Sequence, residues 1–294
     1  MTSCLRTSFE IIVTKKSGPE KMIPPVRAMQ TIAAFSRPHT MVGTAISVPA
    51  LGAFAGGNAM GAMPAALLAN LYVTGLNQLT DIRIDCINKP ELPIPSGALS
   101  VNDGRLIVLV AAIGAIAMSL HSASLLTTTL ASMVVGTLYS QKPFRLKQHP
   151  AMAALCIILV RGLIINVGFV SYVKGRFVVP QGPVLFFSVF AGVIAIMKDT
   201  PDTKGDFANN ILSLALIKGR RVVYCASTMA LSVALTSVAV ALWSPLSFLA
   251  LVMVAAINAH TKVAWKDNSQ QAAASLYQFY WKCFYLCYIA LFFM

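Results

Sequence analysis

Long apolar stretches, each roughly the length a helix needs to cross a hydrocarbon core of about 30 Å, alternate along this chain with short polar connections. Nine of them stand out, near residues 39–57, 60–78, 104–121, 123–140, 151–173, 182–198, 221–242, 244–261 and 272–294. Within each, apolar residues run continuously instead of alternating with polar ones. The pattern therefore predicts helices and not the strands of a barrel, the two architectures that satisfy every backbone group in lipid. The expected fold class is all-α: a polytopic membrane protein whose nine transmembrane helices bundle around a central cavity. A polar segment, 1–26, precedes this membrane domain, 27–294. The segment lacks the apolar core of a signal peptide, and Glu10 and Glu20 speak against a transit peptide.

Composition sharpens the class. With 57% hydrophobic residues, 11% charged residues and a mean hydropathy of +0.72 over 294 residues, an ordinary soluble domain is excluded. The net charge of +13 acquires a different meaning once the spans are drawn. Nine spans place the amino terminus and the even-numbered loops on one side, and that side carries all but four of the 23 Lys and Arg. Lys174 and Arg176 fall on the other side, and Arg161 and Lys282 lie inside spans. The bias predicts that the loop-rich side faces the cytoplasm or the equivalent organellar compartment. The basic excess is thus a topology signal with phosphate binding second, nucleic acid is not an expected partner, and no feature marks an obligate protein partner.

The acids carry the chemistry. Of ten Asp and Glu, five form two clusters on that same side: Asp81 and Asp85 after the second span, and Asp199, Asp202 and Asp206 in "KDTPDTKGD" after the sixth. One interval, 121 residues, separates Asp81 from Asp202 and Asp85 from Asp206, which suggests two parallel repeats. At helical spacing i, i+4, the side chains of Asn77, Asp81 and Asp85 share a face. Like charges so close repel unless a cation lies between them. Oxygen ligands without nearby His or Cys favour Mg²⁺, which takes one or two carboxylates and completes its shell with water and phosphate oxygens. Two such stripes facing each other would clamp a diphosphate, with Asn77, Asp81, Asp85, Asp202 and Asp206 as the expected metal ligands. The six cysteines show no C-x-x-C, and the four histidines fall near span ends without ligand spacing.

Asn77-x-x-x-Asp81-x-x-x-Asp85 with Asp202-x-x-x-Asp206 resembles the paired motifs of the UbiA superfamily of intramembrane prenyltransferases. The resemblance runs from "FSRPHTMVGTAIS" at Phe35–Ser47 to "YQFYWKCFYLCY" at Tyr277–Tyr288. Within the superfamily, "NQL", "NKP", "GTLYS" and "KD-x-PD-x-x-GD" look most like homogentisate prenyltransferases, although "INKPELPIPSG" is also similar to chlorophyll synthases. The resemblance implies a Mg²⁺-dependent reaction in which a prenyl diphosphate ionises and the allylic cation is captured by an electron-rich aromatic acceptor inside the bilayer.

The remaining polar residues can be ranked around that chemistry. In "YSQKPFRLK", Lys142 and Arg145 are expected as diphosphate partners and Tyr139 beside the cation's path, with Lys147 an ordinary loop charge. Lys198 and Asp199 flank the second acidic motif on the substrate side. Arg161 in "CIILVRGLIINVGF" carries a charge that is costly in lipid, so a cavity position holding an aromatic carboxylate or a phosphate is expected. Arg37, just before Pro38, either contacts substrate or anchors in headgroups. Two other readings use the same features differently: a UbiA-type terpene cyclase, in which the cation closes on its own chain, and a membrane transporter, which leaves the five clustered acids without work.

Overall fold

The computed structural model describes residues 25–208 and 211–294. Most of the polar segment 1–26 lies outside the described residues. Everything described that is regular is helical: α1 (Pro25–Phe35), α2 (Pro38–Phe54), α3 (Met63–Thr80), α4 (Ile82–Asn88), α5 (Val101–Ser119), α6 (Ala123–Ser140), α7 (Pro150–Lys174), α8 (Gln181–Met197), α9 (Thr203–Ala208), α10 (Leu214–Lys218), α11 (Arg220–Leu242), α12 (Pro245–Asp267) and α13 (Gln270–Ala290).

Local chemistry sets where these helices begin. Proline, whose fixed φ suits a first turn, opens α2, α7 and α12. Serine hydroxyls accept from backbone N–H groups at four other starts: Ser100 from Asp103 at 3.0 Å, Ser122 from Leu125 at 3.4 Å, Ser213 from Leu216 at 3.4 Å and Ser269 from Ala272 at 3.0 Å. The helix α7 is interrupted by a π-helical turn at Leu159–Ile164.

The nine predicted stretches each coincide with a long helix, but only five helices among the described residues have both the length and the hydropathy to cross a membrane: α5, α6, α7, α11 and α12. Five of the nine expected spans are thus shown by length and hydropathy, and the packing gives the reason the other four fall short. The helices α2 and α8 are each only 17 residues long, although α8 is apolar. His39, Thr40 and Thr44 on α2, Asn70 and Asn77 on α3, and Tyr277 and Trp281 on α13 line internal cavities, so each of these helices carries a polar stripe that dilutes its hydropathy. Two boundaries also move: α12 runs on to Asp267 and α13 starts at Gln270.

Tight helix crossings hold the bundle. Residue 75 must be glycine where α3 meets α5, because an added Cβ would lie 2.7 Å from Val108 Cγ2 and 2.9 Å from Phe35 Cε1. On the other side, Phe187 of α8 stacks on Tyr288 of α13 at 3.8 Å, and Phe284 packs edge-on against Phe187 and Phe190. Buried polar groups are tied together in the same core, with the Thr228 hydroxyl 2.9 Å from the Tyr280 hydroxyl and 2.8 Å from that of Thr261. Large apolar side chains such as Leu109, Ile113, Met229 and Val233 point outwards, as a lipid-facing surface requires.

Candidate active site

The first acidic motif stands where α3 breaks into α4. Asp81 leaves helical geometry (φ −109°, ψ 13°), yet its N–H still bonds Asn77 O at 3.0 Å, and Asp85 N–H bonds Asp81 O at 2.8 Å. The four-residue register survives the break, so Asn77, Asp81 and Asp85 keep a common face. Asn77 Nδ2 donates to Asp81 Oδ2 at 3.1 Å. The other oxygen of Asp81 meets Lys147 Nζ at 2.5 Å and Arg145 Nη2 at 3.2 Å. Asp85 faces Arg37 Nη2 at 3.7 Å. Both arginines sit in the left-handed region, Arg37 at φ 53° and Arg145 at φ 38°, a conformation uncommon outside glycine.

The second motif repeats the arrangement at the end of α8. Lys198 pairs with Asp199, and Lys89, from the turn after α4, pairs with Asp202. Asp206 is buried on α9, and its Oδ2 has no hydrogen-bond partner. The two motifs touch directly: Gly205 N–H donates to Asn88 Oδ1 at 2.8 Å. A side chain at 205 would run into the Asn88 amide, which explains the glycine in "KGD". Arg220 braces the turn from behind, donating to Thr200 O, Thr203 Oγ1 and Asn268 O at 2.8–3.0 Å.

Burial governs the ionisation of this end of the bundle. It raises Asp85 to about 6 against the pull of Arg37 and Lys89, and raises Asp206 to about 7 with Asp199 and Asp202 adding to the effect. Burial likewise pushes the Lys147 ammonium down to about 8, although Asp81 opposes it.

One cavity of about 860 Å³ is lined by Asn77, Asp81, Asp85, Asp199, Asp202 and Asp206 together with Arg37, Lys89, Lys147 and Lys198. It joins a deeper, mainly apolar cavity of about 230 Å³ that contains Arg161. Arg37, His39, Asn77, Tyr139, Lys198, Tyr277 and Trp281 line both and form the passage between them. Among the described residues, no three His, Cys, Asp or Glu side chains converge on one point. The donors nevertheless fit Mg²⁺: hard oxygens only, with Asp85 Oδ2 and Asp206 Oδ2 buried and lacking hydrogen bonds. Few protein ligands per ion is the usual Mg²⁺ pattern, the rest being water and substrate phosphate. The arginine Nε of Arg37, also buried without a partner, is a free donor for an anion.

The sequence ranking is altered at three points. Lys142 is exposed and outside both cavity linings, whereas Lys147, which pattern alone ranked as a loop charge, is buried against Asp81. Arg145 touches Asp81 but stands outside both cavity linings. Lys89, Asn88 and Arg220 were not singled out at all, although the motif "NKP" contains two of them. Arg37, Tyr139, Arg161, Lys198 and Asp199 all reach a cavity.

The profile of the UbiA prenyltransferase family matches residues 38–284. Homogentisate phytyltransferase of Synechocystis sp. is 36% identical over 292 residues, covering 89% of this chain and 95% of the relative. Homogentisate phytyltransferase 1, chloroplastic, of Arabidopsis thaliana is 32% identical over 287 residues, covering 87% of this chain and 73% of the relative. Among solved structures, a UbiA homologue from Archaeoglobus fulgidus, bound to GPP and Mg²⁺, superposes with a TM-score of 0.63 at 13% identity, covering 90% of this chain and all of the other.

Proposed function

Because the chain belongs to the UbiA prenyltransferase family, we propose that it transfers a prenyl group from a prenyl diphosphate to a homogentisate-like aromatic acceptor, forming a carbon–carbon bond inside the membrane. The observation that carries this reading is the joining of the two acidic motifs. Motifs 121 residues apart in sequence are pinned together by Asn88 and Gly205 and line one basic, carboxylate-bearing cavity that opens into an apolar one.

Each part of that arrangement has work in the reaction. Asn77, Asp81, Asp85, Asp202 and Asp206 would hold Mg²⁺, and the bound ions would supply Lewis acidity at the diphosphate oxygens. Lys89, Lys147, Lys198 and Arg37 add fixed positive charge where negative charge gathers on the leaving group. Arg145 holds Asp81 in place through its 3.2 Å contact. Lys142, exposed and away from the cavities, has no part in it. Tyr139, at the passage, offers an aromatic face to the allylic cation. The apolar cavity and the surrounding lipid accept the prenyl chain, at about 0.8 kcal/mol per buried CH₂. Water is kept from the cation because its path leads away from the polar end. All nine long helices cross the bilayer in this reading, with the acid-bearing end towards the cytoplasm or the equivalent organellar compartment.

The test is product formation by purified protein in nanodiscs supplied with phytyl diphosphate and homogentisate. The expected product has the mass of a prenylated aromatic, appears with Mg²⁺, disappears with EDTA and falls by orders of magnitude in Asp81→Ala and Asp202→Ala. A cyclised hydrocarbon formed without acceptor, or unchanged turnover in both variants, would overturn the reading.

A further inference from the structure

Arg161 is a guanidinium deep in the apolar cavity, far along the chain from either acidic motif, and it forms no ion pair with any described carboxylate. Its guanidinium lies 4.7 Å from the ring centroid of Trp281. That indole is itself buried, and its Nε1 makes no well-formed hydrogen bond, its interaction being with the Tyr277 hydroxyl. Arg37, Lys89, Lys147 and Lys198 line the larger cavity; Arg161 does not, and of those four only Arg37 and Lys198 also reach the cavity of Arg161. An uncompensated cation in an apolar, aromatic-walled space is costly, and it would also oppose an allylic cation forming nearby. Both problems end when a single anionic group on a flat, apolar ligand enters beside it.

The backbone shows how this side chain is presented. Arg161 belongs to the π-helical turn Leu159–Ile164, a distortion that leaves the regular i→i−4 ladder and is frequent at functional sites. The turn's carbonyls are caught by one side chain: Asn166 Nδ2 donates to Arg161 O at 2.9 Å and to Gly162 O at 2.8 Å. Asn166 is completely buried, and its Oδ1 accepts from Tyr288 Oη at 3.2 Å. A hydroxyl on α13 thus fixes an amide that fixes the turn carrying the arginine.

We infer that Arg161 anchors a carboxylate borne by the aromatic acceptor, and that Asn166 and Tyr288 are positioning residues that hold its π-helical turn. The inference rests on the prenyl-transfer reading above for the identity of the acceptor, but its main readout, equilibrium binding of the acceptor, does not need turnover. A carboxylate is favoured over a second phosphate because Arg161 is the one cation that lines the apolar cavity alone, with an indole N–H beside it, whereas Arg37 and Lys198 are shared with the acid-lined cavity, which has the cluster of bases that a diphosphate requires. Charge-assisted hydrogen bonds contribute about 1.5–3 kcal/mol, so binding should change by roughly 10- to 100-fold on their loss.

The experiment measures equilibrium binding of homogentisate and of its methyl ester to the full chain in nanodiscs, with no prenyl diphosphate present, alongside KM for phytyl diphosphate. The wild type should prefer the acid to the ester. Arg161→Gln should lose roughly 10- to 100-fold of acid affinity while ester affinity and the KM for phytyl diphosphate hold. Tyr288→Phe should lose part of the acid preference in the same selective way, which a merely structural defect would not do. Arg161→Met supplies the same comparison should Arg161→Gln fail to fold. An acid preference unchanged in a folded Arg161 variant, or a loss falling on phytyl diphosphate instead, overturns the anchor. A selective, folded Tyr288→Phe with wild-type acid preference overturns the positioning role. A wild type that binds the acid through Arg161 yet makes no prenylated product would instead refute the function proposed above.

Discussion

Replacing Asp81 or Asp206 with Asn should damage catalysis alike and affect stability in opposite directions. Asp81 is the anion on which Asn77, Arg145 and Lys147 converge, with Lys147 only 7% exposed. Asp81→Asn leaves that buried ammonium without a counter-charge, a situation that costs about 3–5 kcal/mol when one partner of a buried pair is removed. Asp206 is the reverse case. Its burial lifts it from the ordinary 3.8 to about 7, so the fold prefers its protonated form. At about 1.36 kcal/mol per tenfold in proton affinity, keeping it ionised above neutral pH costs on the order of 4 kcal/mol. The sign follows from linkage: a group raised in the folded state contributes its stability below 3.8 and loses it as pH rises through about 7. Asn, which resembles the protonated acid, removes that loss. Thermal unfolding in EDTA at pH 8 should therefore show Asp81→Asn melting several degrees below wild type and Asp206→Asn at or above it. Turnover with Mg²⁺ should fall in both by a factor of about 10²–10³, as for a lost group that stabilises transition-state charge. A destabilised Asp206→Asn, or a fully active one, would refute the reasoning.

Four further outcomes follow from the same geometry. Mg²⁺ affinity should strengthen as pH rises from 5.5 to 7.5, by about tenfold per pH unit for each proton displaced, because the metal competes with protons held on Asp85 and Asp206; calorimetry that finds no pH dependence would contradict those environments. Above about 8 the Lys147 ammonium discharges, so kcat/KM should decline again on the alkaline side. Lys147→Gln should lower kcat/KM by about 10²-fold, while Lys142→Gln, on an exposed site, stays within about 0.5 kcal/mol of wild type in stability and near it in rate; equal losses would return the diphosphate contact to Lys142. Gly75→Ala should destabilise the bundle by about 1–3 kcal/mol, read as a lower melting temperature.

The long helices were legible because lipid demands continuous apolar length, and each predicted stretch is a helix. What hydropathy could not show was which helices would turn a polar stripe inward, as α3 does with Asn70 and Asn77. The acids were legible because ten carboxylates in so apolar a chain leave a clustered five conspicuous. Their partners were not. Lys142 and Lys147 look alike in "YSQKPFRLK", and only the left-handed turn at Arg145, φ 38°, decides which of them is folded back onto Asp81. The π-helical turn at Arg161 leaves no trace in composition or period, since its support comes from Asn166 in the following turn and Tyr288 on another helix. Lys89 and Arg220 read as topology charges because their partners, Asp202 and the Thr200–Thr203 turn, are more than one helix away or are backbone groups.

The central claim is that both acidic motifs serve one metal-bridged diphosphate. Crystals grown with Mn²⁺ in place of Mg²⁺ and a non-ionising thiolo analogue of the prenyl diphosphate would test it by anomalous scattering. The account predicts metal peaks at about 2.1 Å from carboxylate oxygens of both motifs, Asp81 and Asp85 on one side and Asp202 and Asp206 on the other, with the diphosphate between them. Metal at one motif alone, or a diphosphate bound away from both, would contradict it.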